Sequence, residues 1–122
     1  MNITIHLRDG LKITKESVGF VAEECAETLN NRQALVTAID DIVINKNEIK
    51  MITPADEPSN PNIEVHLHDG SILRLLDDNY SAATIVQKFN EPSVLMAAVG
   101  DGVINKTIVK MITPVSIETA TA

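Results

Sequence analysis

The sequence predicts an α+β protein of two similar tandem units, each a small twisted sheet or partial barrel with one helix, related by a pseudo-two-fold axis. Residues 2–54 align without a gap on residues 62–114, and about 20 of the 53 pairs are identical, which is the signature of an internal repeat. In each unit, apolar and polar residues alternate before an Asp-Gly pair, which predicts an opening hairpin, and an amphipathic stretch predicts one helix. The predicted element order in each unit is β-β-α-β-β-β. The first unit covers residues 1–54 and the second covers residues 62–114, with a linker at 55–61 and a tail at 115–122.

The opening hairpin of each unit has a register that its side chains determine. A two-residue loop would mix apolar and polar residues on one face of the sheet, whereas a three-residue loop over residues 8–10 keeps each face uniform. Gly10 then takes the left-handed conformation. The predicted pairs are Ile5 with Ile13, Leu7 with Leu11, Ile63 with Leu75 and Val65 with Leu73.

The opposite face of the two opening hairpins differs between the units. The polar residues His6, Arg8, His66 and His68 lie on it. In the second unit this face continues with Ile72, Arg74 and Leu76. Because exposed apolar patches mark interaction surfaces, we expect the other unit or a partner to cover Ile72 and Leu76.

The helix of the first unit is predicted over residues 17–29, with Ser17 as its N-cap and Asn30 as a left-handed end. In the second unit Asp78 or Ser81 is the predicted N-cap, and Asn90 ends the helix.

The remaining elements are short. Apolar runs at 34–39 and 94–99 predict strands, and in each unit a second hairpin follows, over 42–44 and 48–53 in the first. The linker is expected to be extended because it contains prolines. The tail is expected to add an edge strand or to fray.

Composition excludes several classes of partner. The aromatic residues are Phe20, Tyr80 and Phe89, too few for the stacking platforms of nucleic-acid binders, and the net charge of −7 gives no basic footprint. No apolar run approaches the ~18 residues of a membrane span. Cys25 is alone, and the first ten residues do not read as a signal peptide. We therefore expect a protein of the reducing cytoplasm that binds neither membrane nor nucleic acid.

The segment His66-x-His68-Asp69 is a candidate metal site. Two histidines at i and i+2 on a strand point to one side and, with a carboxylate, match part of a zinc ligand set, as a metal-dependent hydrolase would require. However, Arg8 replaces the second histidine in the first unit, and no further His or Cys cluster supplies the other ligands. We favour solvent-facing histidines with Asp69 in the turn, and we expect no cofactor.

Other candidate residues have simpler interpretations. Cys25 lies on the apolar stripe of the helix, so it is expected in the core and not as a nucleophile. Lys46 and Lys106 lie in matching turns, and with Arg8 and Arg74 they are candidates for binding a small anion or nucleotide in the cleft between units. No pattern of a catalytic triad is present, so we do not expect an enzyme.

The unit as a whole, with its Asp-Gly hairpin, one helix and an ending that carries the INK and KMITP runs, resembles small uncharacterised proteins of Gram-positive bacteria and their phages. The resemblance implies a phage or mobile-element accessory factor, such as an inhibitor of host defence. The predicted function is therefore non-enzymatic binding of a protein partner or self-association into a homo-oligomer, with a small-molecule binder as the alternative.

Overall fold

The computed structural model describes residues 1–116 and is an α+β fold with two helices and small antiparallel sheets. Of the predicted tail over residues 115–122, Val115 and Ser116 form a turn, and residues 117–122 lie outside the described residues. The elements in chain order are β1 (Asn2–Leu7), β2 (Lys12–Glu16), α1 (Ala22–Leu29), β3 (Val36–Ile39), β4 (Ile42–Asn45), β5 (Ile49–Pro54), β6 (Ile63–Leu67), β7 (Ile72–Leu75), α2 (Ala82–Asn90), β8 (Met96–Val99), β9 (Gly102–Asn105) and β10 (Val109–Pro114).

The registers of the two opening hairpins are confirmed. Ile5 pairs with Ile13 in β1 and β2, and Val65 pairs with Leu73 in β6 and β7. Gly10 has a φ of 95°, and its amide donates to the Leu7 carbonyl oxygen at 3.1 Å. The three-residue loop is therefore correct, because uniform faces and a left-handed glycine select it over the two-residue alternative.

The predicted beginning of the first helix is wrong. Ser17 is buried and pairs with Met1 through backbone hydrogen bonds, so it extends the hairpin and caps nothing. Helix α1 begins at Ala22, after a turn that contains Gly19. Asn30 ends it with a φ of −85°, which is right-handed and not left-handed as predicted. In α2 the predicted cap is confirmed, because the Ser81 hydroxyl accepts from the Thr84 amide.

The closing segments of the two halves have matching local geometry. Asp40 and Gly100 turn the β3–β4 and β8–β9 hairpins with φ values of 54° and 57°. At Gly100 a Cβ atom would lie 2.5 Å from the Leu76 carbonyl oxygen, so this turn requires glycine. The predicted turn after Asn45 and after Asn105 is a single 3-10 helix, capped in each case by the asparagine side chain.

The strands do not form one separate sheet in each unit, as the sequence had predicted. Strands β8 and β9 of the second half join the first half, giving a five-stranded sheet in the order β2-β1-β5-β9-β8. The other sheets are β10-β6-β7 and the isolated hairpin β3-β4. A two-fold relation would also place β4 beside β10, but within residues 1–116 no such pairing occurs. The prediction of one small sheet in each unit is therefore wrong, because an apolar strand pattern indicates burial and does not identify the pairing partner.

The core is shared between the halves. One cluster joins Ile3, Ile5 and Ile52 of the first half to Met96 and Val103 of the second. The other is built mainly from the second half, but it also includes Met51 of the first. Since each half of about fifty residues is near the lower limit for an independent core, this exchange explains how both halves are stabilised.

Candidate interaction site

Helix α1 and strand β5 of the first half form a groove that is filled by the β8–β9 hairpin. We call this groove the occupied groove, and we call the β8–β9 hairpin that fills it hairpin 96–105. Strand β9 pairs with β5 through Met51 with Ile104 and Ile52 with Val103. Helix α1 packs across β8 and β9, and its apolar face of Ala22, Ala26 and Leu29 is buried there. The hairpin therefore completes both a sheet and a hydrophobic layer.

Asn30, at the end of α1, fixes the hairpin in the occupied groove. Its side-chain oxygen accepts from the amides of Leu95 at 2.9 Å and Met96 at 2.8 Å. Its Nδ2 atom donates to the Met96 carbonyl oxygen at 2.8 Å. Three hydrogen bonds from one amide side chain replace strand pairing at this point and set the position of β8 along the helix end.

The corresponding groove in the second half is open. Helix α2 and strand β10 line a cavity of about 270 Å³, and we call it the open groove. Its lining includes Tyr80, Ile85, Val86, Phe89 and Met111, and Val86 is 57% exposed. Strand β10 pairs with β6 on one side, and among residues 1–116 no strand pairs with its other edge. The groove therefore combines apolar side chains with an unpaired strand edge.

The hairpin of the first half, residues 36–45, is the counterpart of hairpin 96–105 and has an exposed face. Val43 is 74% exposed, whereas its equivalent Val103 is 0% exposed. Val36 is 49% exposed, whereas its equivalent Met96 is 3% exposed. Strand β4 is paired with β3 alone in the part of the chain that the structure describes. Hairpin 36–45 therefore presents an apolar, unpaired edge to solvent.

The interaction face predicted from the sequence is exposed. Ile72 and Leu76 lie on or just after β7, which is an outer strand of its sheet, and both are exposed. Arg74 between them is held by carboxylates, with its Nε atom 2.8 Å from Glu64 Oε2 and its Nη1 atom 3.6 Å from Glu57 Oε1. Charged side chains therefore divide this face, whereas the lining of the open groove is mostly apolar.

The four cations predicted to bind an anion do not converge on one cavity. A cavity of about 500 Å³ lies between the halves, and of the four only Lys46 is among its lining residues. The Lys46 Nζ atom donates to the Asn31 carbonyl oxygen, and Lys106 Nζ donates to the Glu91 carbonyl oxygen at 3.0 Å. Arg8 lies in the first opening turn and Arg74 is in the ion pairs described above.

The histidines do not form a metal site in the described residues. His66 is buried on β6, where Nε2 lies 3.3 Å from Thr113 Oγ1 and 3.9 Å from Glu64 Oε1, so the prediction that it faces solvent is wrong. His68 lies beyond the strand, in the exposed turn. Asp69 accepts from the Ser71 amide and hydroxyl at 2.9 and 2.6 Å, as predicted for a turn residue. Among residues 1–116 no three metal-ligating side chains cluster.

Two other titratable groups are perturbed by burial. Partial burial, with smaller effects from Lys12 and Lys50, lowers the pKa of His6 below its usual 6.5, and its Nε2 atom is 2.9 Å from Thr53 Oγ1. Burial raises the pKa of the Cys25 thiol to about 11. The thiolate is the nucleophilic form, so the raised pKa disfavours a nucleophilic role at neutral pH. The partly buried side chain packs against the core as predicted.

Sequence reasoning missed the open groove. Both helices are amphipathic, and in α1 the apolar residues Ala22, Ala26 and Leu29 are buried. In α2, Ile85 and Phe89 pack against the second core cluster, but no residue of this helix is fully buried. Periodicity identifies the apolar face of a helix and not whether another element covers it.

Comparison with protein-family models, with curated proteins and with solved structures gave no match. Neither described helix has the length and apolar character that a membrane span requires.

Proposed function

We propose that this protein is a non-enzymatic protein-binding module whose open groove receives a β-strand or β-hairpin from its partner. The observation that carries this proposal is the edge of β10 that no strand among residues 1–116 pairs with, beside the exposed apolar face of α2. Strand addition to a sheet edge supplies backbone hydrogen bonds, and adjacent apolar pockets supply specificity. The groove offers both.

A second argument comes from the occupied groove. There the same arrangement of helix and strand holds a hairpin, and this burial makes Val103 and Ile104 fully inaccessible. We infer that the two halves arose by tandem duplication, because about 20 of the 53 aligned residue pairs are identical. The order of elements and the local contacts also recur sixty residues apart. On this inference both grooves are built for the same kind of ligand.

The proposal is tested by photo-crosslinking in the cells that make the protein. A photoreactive amino acid replaces Val86 in the open groove, and in the control it replaces Val18, which is 91% exposed elsewhere. We expect a discrete protein adduct from position 86 and none from position 18. Equal yields at both positions, or no protein adduct at position 86, would contradict the proposal.

The resemblance to phage-borne proteins gives a more specific version, in which a cytoplasmic accessory factor binds and inhibits a host defence protein. Expression in a bacterium with an active defence system should then raise phage plating efficiency, and Val86→Lys should abolish this effect. An unchanged plating efficiency would remove this version and leave protein binding as the general proposal.

A small-molecule binder is the second candidate, supported by the cavity of about 500 Å³ between the halves, a size typical of ligand sites. Lys46 lines it beside Arg32, whose Nη2 atom donates to the Pro92 carbonyl oxygen at 2.9 Å. An anionic ligand should raise the melting temperature of the wild type but not of Lys46→Ala. A flat response to a nucleotide and metabolite panel would count against it.

A further inference from the structure

We propose that the partner of the open groove is a second copy of this chain, which inserts its hairpin 36–45. This inference rests on the proposed function and names its ligand. The starting point is the occupied groove, in which the fold already binds a hairpin of its own sequence type: hairpin 96–105 lies between α1 and β5.

The walls of the open groove match those of the occupied one. Along the repeat, the buried residues Ala22, Ala26 and Leu29 of α1 correspond to Ala82, Val86 and Phe89 of α2, all of which line the open groove. On the strand side, Ile52 is fully buried in the same cluster as α1. It corresponds to Ile112, which is only partly buried and lines the open groove. The same apolar surface is therefore present twice and is covered once.

The polar contact that fixes the hairpin is also present twice. Asn30 binds the backbone of Leu95 and Met96. Its equivalent Asn90 lines the open groove and makes no side-chain hydrogen bond within the described residues. The matching backbone groups belong to Leu35 and Val36, which are exposed at the start of hairpin 36–45.

The occupied groove also gives the register of the proposed contact. Ile104 pairs with Met51 and Val103 with Ile52, so Ile44 should pair with Met111 and Val43 with Ile112. Antiparallel pairing would then use the free edges of β4 and β10. Val43, 74% exposed in the isolated chain, would be enclosed as Val103 is.

The hairpin comes from another chain because its own chain already uses its second face. Ile39 is buried in the first core cluster, and Ile42 and Ile44 pack against that cluster. Within residues 1–116 only the groove of the first half is filled, and the hairpin that fills it comes from the second half. Repetition of this step joins chains head to tail, which produces a closed ring or a filament.

The first test is complementation between two variants. Val43→Lys removes the hairpin contact, and Val86→Lys blocks the groove, both at exposed positions where folding should be retained. We expect the wild type to associate with increasing concentration, and each variant alone to associate at least about tenfold more weakly, as for loss of a central contact. A mixture of the two should form a complex of two chains and no more. Val18→Lys is the matched control and should behave as wild type.

The second test identifies the contact itself. With Cys25 replaced by Ala, chains that carry Val43→Cys are mixed with chains that carry Ile112→Cys and are oxidised. We expect a disulfide between two chains, and none when Val18→Cys replaces Val43→Cys. When both cysteines are placed in one chain, a link within that chain would show that its own hairpin closes the groove and would overturn the proposal.

The outcomes separate the two proposals. A crosslink from position 86 with the mass of two identical chains supports both. A crosslink to a different protein, with a wild type that stays monomeric in light scattering, keeps the proposed function and overturns self-assembly. A crosslink confined to the chain's own residues overturns both, because the groove is then filled from within.

Discussion

The two halves of the molecule contain the same elements in the same order, yet only the first has a complete hydrophobic layer. In the first half, α1 and β5 enclose hairpin 96–105. In the second half, α2 and β10 face a cavity, and within the described residues 1–116 the strands of hairpin 36–45 pair only with each other. Val43 and its equivalent Val103 are the same residue type but differ in exposure, 74% against 0%, so this difference is set by what surrounds each hairpin and not by the valine itself.

The largest expected effect is the contrast between Ile104 and its equivalent Ile44. Ile104 is fully buried between the halves, so Ile104→Ala should lower the free energy of unfolding by about 2–5 kcal/mol. Ile44 is only partly buried, so Ile44→Ala should cost clearly less in dilute protein. Urea unfolding of both variants at low concentration measures the difference.

Varying the protein concentration distinguishes the two isoleucine variants further. If chains associate through hairpin 36–45, the loss caused by Ile44→Ala should increase at high protein concentration, because binding stabilises the folded chain by mass action. The loss caused by Ile104→Ala should not change. Equal losses for both variants in dilute protein would mean that the two hairpins are equally enclosed, which contradicts the asymmetry described here.

The next contrast concerns the two asparagines at the helix ends. Asn30→Ala removes three hydrogen bonds and leaves the amide of the buried Met96 without its partner, so it should destabilise the chain by about 1–3 kcal/mol. Asn90→Ala should change stability by less than about 0.5 kcal/mol, as for an ordinary surface position. It should nevertheless weaken association if Asn90 binds the second copy's hairpin.

Thermal unfolding and sedimentation of the two asparagine variants give these quantities together. A large loss of stability in both variants would show that Asn90 already has a partner within the chain. An unchanged association in Asn90→Ala would remove Asn90 from the proposed contact and leave the apolar residues to hold the hairpin.

Much of the local structure could be predicted from the sequence. Alternation and the Asp-Gly turn determined the pairing of Ile5 with Ile13 and of Val65 with Leu73, because a one-residue shift would reverse every side chain. The start of α1 was missed because the buried Ser17 pairs with Met1, a tertiary contact that local capping patterns do not contain.

The candidate site was less accessible to sequence reasoning. The sequence identified the exposed face of Ile72 and Leu76, because these apolar residues lie where the first unit has polar residues. The open groove was not, since Val86 and its equivalent Ala26 have the same periodicity although only Ala26 is buried. Hydrophobic periodicity marks a strand as apolar but does not identify the strand it pairs with, so it does not predict which hairpin fills which groove.

The smallest expected effect concerns His6. Burial, followed by Lys12 and Lys50, holds the pKa of His6 below its usual 6.5, so the folded chain binds fewer protons at this site than the unfolded chain. The stability that depends on neutral His6 is therefore present above about pH 6.5 and is lost as the pH falls through the folded-state pKa. His6→Gln should reduce the fall in unfolding free energy between pH 7 and pH 5.

An NMR titration of the His6 ring provides the direct check, with Lys12→Gln as the control for the charge effect. This substitution should raise the pKa of His6 toward its usual value by removing one nearby positive charge, while the burial effect remains. In the second half Ile72 stands in place of Lys12, and Glu64 Oε1 lies 3.9 Å from His66 Nε2, so the electrostatic surroundings of the two histidines differ. A His6 titration unaffected by Lys12→Gln would mean that Lys12 does not contribute to the lowered pKa of His6, and that its replacement by Ile72 in the second half is not an electrostatic difference that matters for this histidine position.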